Sequence, residues 1–83
     1  MVNKGDVVFA PATLACDAET APYGVVYEWD QYEDDWYDPG ARFVVLDVLH
    51  SGAFPNPFFV MVAPDGRIVV GESVHFFLLE PRS

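Results

Sequence analysis

Residues 58 to 70 read Phe-Phe-Val-Met-Val-Ala-Pro-Asp-Gly-Arg-Ile-Val-Val, two apolar runs held apart by Pro64-Asp65-Gly66. Proline sets φ for the first corner of a type I turn, aspartate suits the next corner, and glycine takes the left-handed position from which the chain returns. A connection of this length containing glycine predicts a β-hairpin with a bulge. An isolated hairpin is marginal in water. The rest of the chain must therefore supply strands that cover it.

Read in order, the remaining segments do supply them. Lys4 to Phe9 predicts a first strand. Ala10 to Pro22 is an Ala-rich connection bounded by Pro11 and Pro22, with room for a helical turn around Leu14-Ala15-Cys16. Tyr23 to Asp30 predicts a second strand, with Val25, Tyr27 and Trp29 on the buried face and Glu28 and Asp30 on the wet one. Gln31 to Gly40 is a loop ending in the turn Asp38-Pro39-Gly40. Arg42 to Leu49 predicts a central strand buried on both sides: Val44, Leu46 and Val48 on one face, Phe43, Val45, Asp47 and Leu49 on the other. After the turn at Ser51 to Pro57 comes the hairpin, whose second strand breaks at Gly71-Glu72-Ser73. Val74 to Leu79 closes the chain as a short strand or helical turn stopped by Pro81. A chain of 83 residues holds one domain, residues 1–83. Five or six strands without a convincing helix predict an all-β fold: a small, strongly bent antiparallel barrel.

Charge is distributed unevenly. The net charge is −9, and from Gly5 to Ala41 there is no Lys or Arg. Asp6, Asp17, Glu19, Glu28, Asp30, Glu33, Asp34, Asp35 and Asp38 all fall in that segment, while acids and bases balance elsewhere. Such a field repels nucleic acid and anionic membranes and favours a basic protein partner. Direct nucleic-acid binding is disfavoured, because counterion release needs Lys and Arg on the protein. No apolar run approaches the length of a membrane helix or a signal peptide, and Cys16 has no cysteine to pair with. Both features point to a reducing, cytoplasmic setting.

The opening Lys4-Gly5-Asp6-Val7-Val8, the long connection after it, Pro64-Asp65-Gly66-Arg67 between two late strands, and the closing Phe76-Phe77-Leu78-Leu79-Glu80-Pro81 together resemble small SH3-like β-barrel proteins of bacteria and their phages. The resemblance implies an interaction module rather than an enzyme, with an acidic, aromatic-lined groove for basic or Pro-rich peptides.

The stretch Glu28 to Asp38 carries the candidate site. Six carboxylates (Glu28, Asp30, Glu33, Asp34, Asp35, Asp38) are interleaved with Trp29, Tyr32, Trp36 and Tyr37. Carboxylates beside aromatic faces suit Arg and Lys side chains, through charge-assisted hydrogen bonds and cation–π contact. Glu28, Asp30, Tyr32, Glu33, Asp34, Asp35, Trp36, Tyr37 and Asp38 are thus expected to contact the partner. The structural alternative is a solvated acidic loop whose rings lie over the end of the barrel. Asp30, Asp34 and Asp38 offer hard oxygens, but the EF-hand order is absent and no metal is assigned. His50 and His75 border apolar runs as strand-edge residues. Asp47 needs Arg42 or Arg67 if buried, and otherwise belongs to an exposed face. No nucleophile signature, metal cluster or phosphate loop is present, so neither catalysis nor a cofactor is expected.

The sequence therefore predicts a non-enzymatic acidic module that binds, and by binding can inhibit, a basic protein. A nucleic-acid-binding protein is one such partner, with the acidic half imitating phosphate charge as a phage-type inhibitor does. The alternative is a structural or assembly protein, such as a virion component, associating through apolar strand surface. A small hydrolase or metal-binding protein ranks third. The adjacent pairs Phe58-Phe59 and Phe76-Phe77, and the two apolar faces of 42–49, exceed what one small core can bury, which predicts a homodimer.

Overall fold

A computed structural model describes residues 2–17, 24–29, 31 and 35–79. Eight strands are found among them: β1 (Val7–Phe9), β2 (Leu14–Asp17), β3 (Gly24–Glu28), β4 (Trp36–Tyr37), β5 (Arg42–Leu49), β6 (Phe58–Val62), β7 (Ile68–Glu72) and β8 (Phe77–Leu78), with a 3₁₀ turn at Ser73–His75. They form one sheet in the order β4-β2-β3-β7-β6-β5-β1-β8, curled into a half-barrel. The all-β class holds. The strand number is eight rather than five or six, and the β3–β7 pair is parallel, so the sheet is mixed rather than wholly antiparallel.

The additional strands come from segments with weak local signals. Leu14–Asp17 has no β-branched residue and reads as a connection, yet it lies between β3 and β4. Leu14 and Cys16 enter the core from one side. Ala15, on the other side, stands opposite both Tyr27 and Trp36 and is fully buried. Tertiary pairing outweighs local preference here. The same pairing turns β3 over relative to expectation. Val26 is its core residue, Val25 and Tyr27 are half-buried, and Trp29 beyond the strand is 49% exposed.

The concave face of the half-barrel holds Val8, Leu14, Cys16, Val26, Tyr37, Phe43, Val45, Phe59, Met61, Val69 and Phe76. Phe43 centres it, with Tyr37 and Phe76 packed edge-on at 5.2 and 5.4 Å between ring centroids. β5 is therefore buried on one face, not two: Phe43 and Val45 point in, while Val44 and Leu46 are 41% and 42% exposed. A bulge then changes the phase. Val45 stands opposite Met61 and Asp47 opposite Val60, which leaves Leu46 as the extra residue. In strict alternation Asp47 would follow Phe43 and Val45 inward. With the bulge Asp47 turns out and Val48 packs against the core. The partner of Asp47 is Lys4, at 3.7 Å, rather than Arg42 or Arg67.

The 63–67 hairpin turn forms as the sequence indicates. Gly66 N–H donates to the Ala63 carbonyl at 2.9 Å, Ala63 N–H donates to the Arg67 carbonyl at 2.8 Å, and Gly66 has φ +89°. Gly71, expected to break the second strand, instead lies within β7. A Cβ there would fall 2.7 Å from Val26 Cγ2 and 2.8 Å from Phe76 Cε2. Its smallness lets the ring of Phe76 pack against the strand. The adjacent aromatics divide between faces: Phe59 and Phe76 are buried, Phe77 is 54% exposed, and Phe58 rests against Phe54.

Candidate partner-binding site

The candidate stretch divides into an inner part and an outer part. The inner part is built by β4 and the hairpin turn. β4 pairs with β2, which carries Tyr37 over the core beside Phe43. The Tyr37 hydroxyl donates to Asp65 Oδ1 at 3.1 Å, so the ring spans from β4 to the 63–67 turn. Arg67 follows that turn. Its Nε donates to Asp65 Oδ2 at 2.7 Å, its Nη1 to Asp35 Oδ2 at 2.5 Å, and its guanidinium carbon lies 5.4 Å from the centre of the Tyr37 ring. The Asp35 carbonyl accepts from Cys16 N–H at 2.9 Å, which fixes that residue to β2.

The electrostatics follow from this geometry. The hydrogen bond from Arg67 holds the Asp35 carboxyl below the ordinary carboxylate range. Burial pushes Asp65 upward, but hydrogen bonds from the Arg67 backbone, its side chain and Tyr37 together outweigh that, and the net shift is downward. Burial, then the hydrogen bond to Asp65, raises the Tyr37 phenol. Burial likewise raises the Cys16 thiol. Asp35 raises Arg67 in return. The acidic first half is thus tied to the second half by one arginine, which already has two carboxylates and a ring around it.

The outer part faces solvent. Trp36 is 53% and Trp29 49% exposed, and with Thr13 they line a cleft of about 250 Å³. The strand pairing sets this spacing: Trp36 stands opposite Ala15, and Trp29 N–H donates to the Thr13 carbonyl at 3.0 Å. Tyr27 lies on the same face, opposite Ala15. Glu28 is exposed at the rim, joining a depression with Tyr27, Trp29 and Gln31 to another with Leu14, His75 and Phe77. Asp38 is exposed just beyond β4.

Of the nine expected contact residues, Glu28, Trp36 and Asp38 are therefore open to solvent, Asp35 is half-buried against Arg67, and Tyr37 is core. Asp30, Tyr32, Glu33 and Asp34 lie outside the described residues. Alternation along 23–30 puts Trp29 on the inner face, although Trp29 belongs to the aromatic cluster of the candidate stretch, and nothing in the sequence singles out Thr13. Only the unforeseen strand β2 brings Thr13 and Trp29 into register. No group of potential metal ligands is found among the described residues. A further cleft of about 670 Å³ opens elsewhere, where Lys4, Asp47, His50 and Ser73 surround Val2, Val48, Pro57 and Phe59. Among the described residues no helix is long and apolar enough to cross a membrane. No protein-family model, no curated protein and no solved structure matches this chain.

Proposed function

We propose that the protein is a non-enzymatic interaction module that binds a basic segment of another protein across Trp29 and Trp36. One observation carries this reading: two half-exposed tryptophans flank a common cleft on the end of the sheet that bears Asp17, Glu28, Asp35 and Asp38. Indole faces attract Arg and Lys, Trp is enriched where binding energy concentrates, and the exposed Glu28 and Asp38, next to Trp29 and two residues past Trp36 in the chain, supply negative charge for the cation. The arrangement of Arg67 over Tyr37 and between two carboxylates is the intramolecular version of the same contact. Partners of matching chemistry include nucleic-acid-binding proteins, whose basic surfaces the net charge of −9 would attract as a polyanion does. Binding there would block such a surface. This reading does not depend on the SH3-like resemblance.

The test is titration with a Lys/Arg-rich peptide, followed by tryptophan fluorescence and stopped-flow kinetics. Trp36→Ala and Trp29→Ala should each speed dissociation, at about 2 kcal/mol if the ring is a desolvated anchor. Replacing Glu28 and Asp38 by Gln and Asn should slow association and flatten its salt dependence. Asp35 is unsuitable for this test because it holds Arg67. Peptide binding unchanged in all these variants would exclude the cleft. A second reading, assembly through apolar strand surface, is favoured by the exposure of Val44, Leu46 and Ile68.

A further inference from the structure

Cross-strand neighbours share a face of the sheet. On the convex face the pairing sets Val7 opposite Val44, Val44 opposite Val62, and Val62 opposite Ile68. This row crosses β1, β5, β6 and β7 without a charged residue. The next row runs Asp47, Val60, Val70, Val25, Asp17, with charge only at its two ends. Val44, Leu46 and Ile68 are each about two-fifths exposed. Four strands spaced by about 4.8 Å make the patch roughly 20 Å wide. That is the scale of the apolar centre of a standard interface.

We propose that this convex aliphatic face of β1, β5, β6 and β7 is a homodimer interface, occupied by the same face of a second copy. The occupant follows from charge. A copy of a chain with net charge −9 is repelled by most of this surface. It can approach closely only where no carboxylate must be desolvated. The Val7–Val44–Val62–Ile68 row meets that condition, and in a two-fold arrangement it meets itself. A basic partner has no such preference, since the row offers it no anion. The inference deepens the assembly reading and is independent of the tryptophan cleft.

Salt separates the two. A basic partner should bind more weakly as salt rises, because screening removes the attraction. The homodimer should strengthen, because screening removes like-charge repulsion and leaves the apolar contact. Sedimentation equilibrium of the full chain at low and high salt reads this directly. At about 100 µM, a concentration at which micromolar dimers persist, the parent should show twice the 9.3 kDa chain mass, more completely at high salt. Val44→Lys and Ile68→Lys should each give the single-chain mass, although both lower the net negative charge. Phe54→Lys, at an exposed phenylalanine in the 50–57 connection, should remain dimeric. Val44→Thr, close in shape and milder, should weaken the dimer at least tenfold and guards against misfolding of the lysine variants. Far-UV circular dichroism checks the fold. A parent that sediments as a monomer at both salts overturns the proposal. So does a dimer unmoved by the Val44 and Ile68 substitutions, or one that weakens with salt.

Discussion

Arg67 shows how far one side chain can change the role of its neighbours. Asp35 and Tyr37 look in sequence like part of an acidic recognition loop, but Arg67 draws both into the fold. The consequence for pH is determined by the directions of the shifts. Asp35 and Asp65 titrate lower in the folded protein than the unfolded value of about 3.9. Their stabilisation is therefore present above that value and is lost as pH falls through the depressed folded values. Cys16 and Tyr37 are raised, so their contribution is present below their unfolded values, about 8.5 and 10, and is lost as pH rises through the folded ones. Urea midpoints measured across pH should form a plateau between these limits. Arg67→Gln should flatten the acid side, and an unchanged acid limb in that variant would show that the ion pairs contribute nothing. Asp35 and Arg67 are both partly exposed, so the effect should be modest. Gly71 presents a steric case. Gly71→Ala places a methyl against Val26 and Phe76 and should cost about 1–3 kcal/mol in chemical denaturation.

Among the elements, the hairpin and β5 lie at opposite ends of what local sequence can specify. Pro64-Asp65-Gly66 carries its own turn chemistry, and the positive φ of Gly66 is what that chemistry requires. Gly66→Val should lower stability by about 1–3 kcal/mol, because a β-branched residue resists that conformation. An unchanged melting temperature would argue against the turn. β5 could be recognised as a strand but not by face. Its alternation reads straight through Leu46, and a bulge leaves no mark in a run of aliphatic residues. Deleting Leu46 should leave Asp47 facing out and Val48 facing in, because Val45, Asp47 and Val48 then alternate regularly opposite Met61, Val60 and Phe59, and the variant should keep its fold in chemical denaturation. A loss of about 3 kcal/mol or more, the cost of an unpaired buried charge, would show instead that the deletion turns Asp47 inward. β2 and β4 were illegible for a different reason. Leu14-Ala15-Cys16-Asp17 and Trp36-Tyr37 become strands through pairing with each other and with β3, which no local window contains. The candidate site suffered the same loss: its acids and aromatics were visible in sequence, but which rings face out depends on that pairing.

At the scale of the whole molecule, the tryptophan cleft and the uncharged row occupy different strands. Asp17, Glu28, Asp35 and the tryptophan cleft lie with β2, β3 and β4, and the uncharged row crosses β1, β5, β6 and β7. If both proposals hold, a copy of the chain and a basic partner would occupy different strands, each responding to salt in its own direction. The two regions meet at the β3–β7 pairing, where Gly24, Val25 and Val26 run parallel to Val69, Val70 and Gly71. Each side has antiparallel pairs between chain neighbours, β2 with β3 and β5 with β6 and β7. The parallel seam instead joins strands far apart in the chain, and loop-closure entropy opposes it until both sides exist. With the β1–β8 pairing, which joins strands still further apart, it should therefore be among the late junctions of folding, and substitutions there should accelerate unfolding while leaving the refolding rate nearly unchanged. The seam that unites the two surfaces would then also help set the lifetime of the native state.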